Sequence, residues 1–481
     1  MKKLIKTISV SEKGTIREGV VAIDKGAMGV ALLIAPETHV FKGIVTDGDI
    51  RRALLKGYTF EDPLSKLIRQ EYVTVTTETP FNQILNFFNQ TIRVIPVLDE
   101  NNRAVDLAVL DKRRFLPVAE PSIGEQEWQY VSKCVLSGWV SSTGEFINRF
   151  EEKFADFCNT KHAITTCNGT AALHLALLAC DIGPGDEVIV PTLTFIATAN
   201  AVTYTGAQPV FIDSETDTWN IDPAKIEKAI TPRTKAIIPV HLYGHPADMG
   251  PLQEICDKHN LLLIEDAAEA HGAMYKGQQV GSLGDMGIFS FFGNKIVTTG
   301  EGGMIVTDND EYADKIRVLR DHGMDKNRRY WHPVLGYNYR LTNVQAALGV
   351  AQMEKIEQIL LKKRKNAALY NEMLHAVPGI TVPNEMVWAK NVFWLYSILI
   401  DEKKFGMPRD ELMASLQEKG IETRPLFYPI HTQPIYSTGR SFPVAEKISS
   451  RGLSLPSSVK LTAESIRDIS ETILKLSQRA L

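Results

Sequence analysis

The sequence predicts an α/β protein with a large domain on a mixed, mostly parallel sheet. A smaller C-terminal α+β domain follows it, and a separate α+β module precedes it. Three observations lead to this reading. From about residue 125, short apolar runs alternate with longer helical stretches, the pattern of parallel strands joined by helices. Ahead of that region, one short unit occurs twice, offset by about 65 residues. A chain of 481 residues, 44% hydrophobic and 23% charged, has the composition of a folded globular protein and the length of two or three domains.

The repeat comes first in the chain. ISVSEKGTIREGVVAIDKGAMGVALLIA and VTVTTETPFNQILNFFNQTIRVIPVLD each read as a short strand, an amphipathic helix and an apolar strand. The helices are expected over Ile16–Ile23 and Phe81–Phe88, the strands over Ala31–Ala35 and Val94–Leu98. The first copy continues into Gly43-Ile44-Val45-Thr46-Asp47-Gly48-Asp49, a strand entering a helix. This element resembles the ribose-binding signature of tandem cystathionine-β-synthase-type (CBS) modules. The resemblance implies that Thr46 and Asp49 hold the ribose of a purine nucleotide, which makes residues 1–115 a regulatory or assembly module. The same two residues also suit a simpler role, Thr46 as helix cap and Asp49 as first-turn charge. The second copy departs from the signature: Asp106-Leu107-Ala108-Val109-Leu110-Asp111-Lys112 has no Gly, no Thr and no aligned Asp.

The repeat ends near Arg114, and residues 116–124, with Pro121 and Gly124, form the expected linker. The large domain is expected over 125–360. Its strands are Ala163–Thr166, Glu187–Pro191, Pro209–Asp213, Ala236–Val240, Leu261–Glu265, Ile288–Phe292 and Gly303–Thr307, with helices such as Ala171–Cys180 and Pro251–His259 between them. One long helical segment, Thr342–Val377, leads into the small domain at 361–481, where Phe393–Ile400 reads as a strand.

Several function classes are excluded at this level. The formal net charge is −4, with 17 basic and 14 acidic residues among the first 115. That balance lacks the basic footprint of a nucleic-acid binder. No apolar run approaches the ~18 residues of a membrane span, and the N-terminal lysines precede no signal-peptide apolar core, so a cytoplasmic location is expected. Five widely spaced cysteines without a C-x-x-C pair predict neither a disulfide framework nor a metal site.

Ligands in open α/β sheets gather beyond the carboxyl ends of the strands. The residues expected there are Cys167-Asn168-Gly169-Thr170 opening a helix, Thr192-Leu193-Thr194-Phe195, Asp266 followed by Glu269 and His271, and Ser290 leading to Gly293-Asn294-Lys295. Singly these are a turn and cap, a core aromatic, a capping acid and a surface lysine. Their joint order of phosphate cradle, aromatic platform, acid and lysine fits pyridoxal 5'-phosphate. The Gly169 and Thr170 N–H groups at a helix start favour a phosphate dianion. Phe195 can stack on the pyridine ring, Asp266 can pair with its protonated nitrogen, and Lys295 can form the imine.

From about Leu116 onward the chain resembles the DegT/DnrJ/EryC1/StrS sugar aminotransferases of fold-type I. The motifs are NGTAALHLAL, PTLTFIATANAV, PVHLYGHPADM, IEDAAEAHGA, FSFFGNKIVTTGEGGM and GYNYRLTNVQAALG. The resemblance implies Lys295 as the covalent lysine and Asp266 as the ring-nitrogen partner. It makes Ser290, Gly169 and Thr170 phosphate contacts and gives Phe195 the stacking position. Glu269 stands where many members carry Gln, although perosamine-type members are also acidic there. Asn338 is implied to reach the phosphate of a neighbouring subunit, hence a homodimer with shared active sites, or a higher oligomer. Arg340 is implied for the donor carboxylate, and His431 for the substrate side. RYWHP beside the GNKI and EGGM motifs is similar to the perosamine-type branch, which implies transfer of the amino group of L-glutamate to GDP-4-keto-6-deoxy-D-mannose. The alternatives are a UDP-linked 4-keto-6-deoxy-N-acetylhexosamine substrate and, from another class, a nucleotide-sensing protein with a retired fold. A sugar 3-dehydratase, which replaces the lysine by histidine, is disfavoured by Lys295.

Overall fold

The computed structural model describes residues 2–480 apart from 27, 69–71, 81, 82, 85, 86, 89–91, 110–114 and 438. The chain forms two compact units, Met1–Arg114 and Phe115–Leu481.

In the N-terminal unit one pairing scheme occurs twice. Strand β1 (Ser9–Ser11) lies parallel to β2 (Val30–Ile34), which is antiparallel to β3 (Phe41–Thr46). Likewise β4 (Val75–Thr76) lies parallel to β5 (Val94–Leu98), which is antiparallel to β6 (Ala104–Val109). The register slips at matching places, between Leu33 and Ile34 and between Val97 and Leu98. Side chains alternate across β2, as a strand requires. Leu32 joins Ile8, Val30, Phe41, Val94, Leu98 and Leu107 in one core, while Leu33 joins Ile16, Val45, Ile50 and Leu64 in another. The helix expected over Ile16–Ile23 runs Ile16–Gly26. The helix expected over Phe81–Phe88, and residues Leu110–Lys112 of the second copy, fall partly or wholly outside the described residues.

The larger unit is built on a seven-stranded sheet in the order β7 (His162–Thr166), β15 (Gly303–Thr307), β14 (Met286–Ser290), β11 (Leu262–Asp266), β10 (Thr234–Ile237), β8 (Glu187–Pro191) and β9 (Gln208–Ile212). All neighbours are parallel except β15, which is antiparallel to both β7 and β14. Both faces are covered, so the central strands carry apolar residues to both sides rather than alternating apolar with polar. Ile189, Ile237 and Leu263 face the helix Met249–His259, and Val188, Val190, Ala236 and Ile264 face the main core. A small three-stranded sheet joins β12 (Met274–Tyr275), β13 (Gln278–Gln279) and β17 (Ala389–Lys390). A second core lies against the antiparallel sheet β16 (Ile380–Thr381), β18 (Tyr396–Ile400), β20 (Gly452–Leu455) and β19 (Arg424–Pro425).

Three expectations are corrected. The strand expected over Ala236–Val240 stops at Ile237, because Pro239 has no N–H with which to continue the ladder. The segment Thr342–Val377 is two helices, Asn343–Met353 and Ile356–Leu374. Lys355 leaves helical geometry between them (φ −122°, ψ 11°), and its ammonium reaches the Ser122 carbonyl at 2.6 Å. The strand expected from Phe393 begins only at Tyr396, since Phe393 has φ 50°, a left-handed conformation no strand residue adopts. The second helix contributes Ile359 and Leu360 to the main core and Ala367, Tyr370 and Leu374 to the other, so a boundary at 360/361 falls inside one rigid element. All five cysteines are free thiols, and Cys134, Cys158 and Cys256 are buried. No helix among the described residues is long and apolar enough to cross a membrane.

Candidate active site

A cavity of about 690 Å³ opens at the carboxyl ends of β7, β8, β11 and β14. Gly169, Thr170, Phe195, Asp266, Glu269, Ser290 and Lys295, all named from sequence, line it together.

The helix Gly169–Ala179 starts directly after β7. Asn168 is its cap: its side-chain oxygen accepts from the Ala171 N–H at 2.8 Å. That leaves the Gly169 and Thr170 N–H groups, at the positive end of the helix, without an intrahelical acceptor. Gly169 is required by space. A Cβ there would stand 2.9 Å from the Ser290 Cβ and 3.4 Å from its Cα and Oγ, so two phosphate-binding candidates meet at a point with no room to spare. The Ser290 hydroxyl and two backbone N–H groups beside a helix start are a donor set that fits a phosphate dianion.

Asp266 ends β11 and is 5% exposed. Its carboxylate accepts from the Thr198 hydroxyl at 2.7 Å and from the Ala268 N–H at 3.2 Å. Burial raises its pKa, opposed by those two hydrogen bonds. A buried carboxylate held by fixed donors fits pairing with a ring N–H⁺. Glu269 lies 3.6 Å from the Lys295 ammonium and accepts from the Tyr243 N–H at 2.8 Å. Burial pushes Glu269 up to about 7, and the same burial lowers Lys295 from its ordinary value. A lysine whose charge is disfavoured is the form that can act as nucleophile and base.

Tyr243 has φ 53°, uncommon for a bulky residue, and its ring stacks on Phe427 at 5.3 Å. Phe195 approaches Phe427 at 5.8 Å and is half-exposed to the cavity. Trp394 also stacks against Tyr243, with centroids 6.2 Å apart, and its ring centroid lies 3.8 Å from the Lys295 nitrogen. Thr198 and Tyr243 lie inside the PTLTFIATANAV and PVHLYGHPADM motifs and Trp394 lies outside all of the motifs, but nothing in the sequence assigns any of the three a role at the site.

Three candidates lie outside the cavity. Asn338 is exposed and bridges backbone to backbone with Asp321. Arg340 pairs with Asp321, donates to Ser142 Oγ at 3.1 Å, and lines a separate cavity of about 910 Å³. His431 is buried with both ring nitrogens engaged, one with Thr192 Oγ1 at 2.6 Å and the other with Glu446 at 3.1 Å; it clasps two segments together. The arginine that does line the cavity is Arg424, 3.3 Å from Glu422. In the N-terminal unit, Thr46 and Asp49 form a reciprocal capping box, each side chain accepting from the other's backbone N–H (3.1 and 3.0 Å). Asp49 is further held by Arg52 at 2.8 Å.

Residues 121–474 match the DegT/DnrJ/EryC1/StrS aminotransferase family; the match begins after the N-terminal unit. Over 366 residues the chain is 50% identical to GDP-perosamine synthase of Caulobacter vibrioides, covering 76% of this chain and 98% of that one. It is 46% identical to GDP-perosamine synthase of Escherichia coli O157:H7 over 361 residues, or 75% and 98% of the two chains. Among solved structures, DesI in the presence of its TDP-sugar product superposes with a TM-score of 0.72 at 34% identity, covering 76% of this chain and 94% of that one. Motifs, cavity and relatives agree, and the chain belongs to the DegT/DnrJ/EryC1/StrS family as a pyridoxal-phosphate-dependent sugar aminotransferase.

Proposed function

We propose that this enzyme transfers the amino group of L-glutamate to C4 of GDP-4-keto-6-deoxy-D-mannose, forming GDP-perosamine for surface polysaccharide synthesis. The observation that carries the choice of sugar is the identity of 50% and 46% to two GDP-perosamine synthases across nearly their whole length. When bound, pyridoxal phosphate supplies the imine-forming aldehyde and the electron-sink ring, and it stores the amino group between half-reactions.

The chain's own residues then have distinct tasks. Gly169, Thr170 and Ser290 bind the phosphate. Phe195 covers one ring face, and Asp266, steadied by Thr198, keeps the ring nitrogen protonated. Lys295 is the covalent partner, and its released amine takes the proton from the donor's Cα and returns it on the far side of the transfer. Glu269, beside that amine, balances the charge as it is gained and lost. Arg424 is our candidate for an anionic group of the donor, in the role first expected of Arg340. Asn338, exposed and outside its own chain's cavity, is proposed to complete the partner's site in a homodimer.

Purified enzyme incubated with pyridoxal phosphate, L-glutamate and a panel of GDP- and UDP-linked 4-ketosugars tests the reading. Amination of the GDP-linked 6-deoxy sugar at least tenfold faster than of any UDP-linked one is expected; the reverse order overturns the choice of sugar.

For the N-terminal unit we propose a CBS-like regulatory role. The support is the doubled three-stranded pairing scheme and the Thr46–Asp49 element at one strand–helix junction. Calorimetry of the full chain with adenine and guanine nucleotides tests it: binding lost in Asp49→Ala is expected, and no binding of any purine nucleotide overturns it.

A further inference from the structure

Trp394 is held from two directions. Its indole N–H donates to the carbonyl of Asn294, the residue before Lys295, at 2.8 Å. Its own carbonyl accepts from the ammonium of Lys363 at 2.6 Å. Lys363 is a buried lysine with no carboxylate against it; its second bond goes to the Ser457 carbonyl at 2.8 Å. Asn366 and Tyr370, one and two turns further along the same helix, take the carbonyls of Ser458 and Pro456 at 3.1 and 2.9 Å. One helix face therefore fixes both the Trp394 segment and the segment 456–458. The backbone turn at Tyr243-Gly244 presses against the Trp394 segment: a Cβ on Gly244, which has φ 100°, would stand 2.9 Å from the Trp394 backbone nitrogen, and the Tyr243 ring stacks on the indole at 6.2 Å. So anchored, the indole presents its face to the Lys295 nitrogen at 3.8 Å, within cation–π range and out of bulk water.

We infer that Trp394 is a catalytic residue, its ring face stabilising the Lys295 ammonium formed when the released amine takes the donor's proton, and that Lys363 is the positioning residue that holds it there. The inference rests on the assignment of Lys295 above. In the step concerned, the lone pair of the Lys295 nitrogen forms a new N–H bond. The C–H electron pair stays with the donor carbon, and the proton returns later from the ammonium. A burial site that favours the neutral amine helps the lysine attack but opposes its protonation. The indole face adds to the stabilisation that Glu269 gives at 3.6 Å, without placing a further full negative charge beside the amine, where the proton would be held too firmly. The titratable groups acting on this ammonium are Glu269, Asp266 and His271, and none lies on the segment carrying Trp394.

The test uses cofactor-free enzyme and measures the pH dependence of imine formation with pyridoxal phosphate by visible absorbance, which reads the fraction of Lys295 present as free amine. A cation–π contact at a desolvated site predicts that Trp394→Leu lowers the midpoint by about one pH unit. Trp394→Phe, which keeps a weaker ring face, should lower it by less. Lys363→Met should lower it in the same direction by displacing the indole. An unchanged or raised midpoint in Trp394→Leu overturns the inference, as does an unchanged midpoint in Trp394→Phe if the leucine variant does not fold. Lys295→Ala separates the two assignments: imine formation as extensive as in the unaltered enzyme overturns the role of Lys295 itself, whatever the Trp394 variants do.

Discussion

Replacing Thr198 by valine removes one oxygen atom from the site and little else. Thr198 is 1% exposed, sits at the start of the helix Ala197–Tyr204, and donates its hydroxyl to Asp266 at 2.7 Å. Valine keeps the branched shape, so the packing change is small, but the carboxylate loses its shorter hydrogen bond and retains only the Ala268 N–H at 3.2 Å. A hydrogen bond to a charged group is worth roughly 1.5–3 kcal/mol, which corresponds to roughly 10- to 150-fold in an equilibrium or rate constant. Burial already raises the pKa of Asp266, and losing the hydroxyl raises it further, so a larger fraction is neutral and unable to hold a ring N–H⁺. We expect Thr198→Val to weaken pyridoxal phosphate binding and to lower kcat/KM by that order. Thr198→Ser, which keeps the hydroxyl, should stay within a few-fold of the unaltered enzyme. Titration of cofactor-free variants with pyridoxal phosphate, with thermal unfolding as the control for folding, decides it. Wild-type affinity and turnover in Thr198→Val would refute the reasoning, and so would a serine variant as impaired as the valine one.

Three further expectations follow from other parts of the site. With Glu269 raised from 4.5 to about 7 in the folded cofactor-free enzyme, the unfolded chain releases its proton first; between those values folding stability therefore falls as pH rises, and it levels off above about 7. Relative to Glu269→Gln, the melting temperature of the unaltered apoenzyme should drop across that window, and a rise would contradict the assignment. Gly169→Ala should lower the apoenzyme's melting temperature by a few degrees and weaken cofactor affinity about tenfold or more, because the added methyl meets Ser290 at 2.9 Å and must push it aside; unchanged affinity would show that Ser290 is not part of the cradle. If Asn338 completes a partner's site, inactive Lys295→Ala mixed with Asn338→Ala should regain part of the activity after subunit exchange, since mixed dimers gather both lesions in one site; no recovery in verified mixed dimers would place Asn338 elsewhere.

Much of the site was legible because an α/β sheet carries its polar residues to one end. Asp266, Ser290 and Asn168 follow apolar runs that could only be strands, so their convergence came with the fold class. Lys295 was legible through its motif and through the acid 29 residues before it. Thr198, Tyr243 and Trp394 were not, because each reaches the site by tertiary packing that no periodicity encodes. Trp394 arrives from a segment 100 residues beyond its hydrogen-bond partner Asn294. Asp49 and Thr46 illustrate the opposite limit. A helix cap and a ribose contact use the same hydroxyl and carboxylate, and the capping box is visible without excluding the ligand. Arg340 and His431 are engaged by Asp321 and by Thr192 and Glu446, partners that a linear reading cannot supply. The break at Lys355 is of the same kind: helical periodicity continues through it, while its backbone leaves helical geometry and its ammonium bonds the Ser122 carbonyl and pairs with Glu127.

The central claim is that this enzyme's chemistry runs through a covalent bond at Lys295. Incubation with pyridoxal phosphate, reduction with borohydride, digestion and mass spectrometry of the peptides test that claim most directly. A single phosphopyridoxyl adduct on Lys295 is expected at close to one per chain, abolished when L-glutamate is present in excess before reduction and absent from a folded Lys295→Ala variant. A stoichiometric adduct on any other lysine, or an active enzyme that retains its turnover without Lys295, would contradict it.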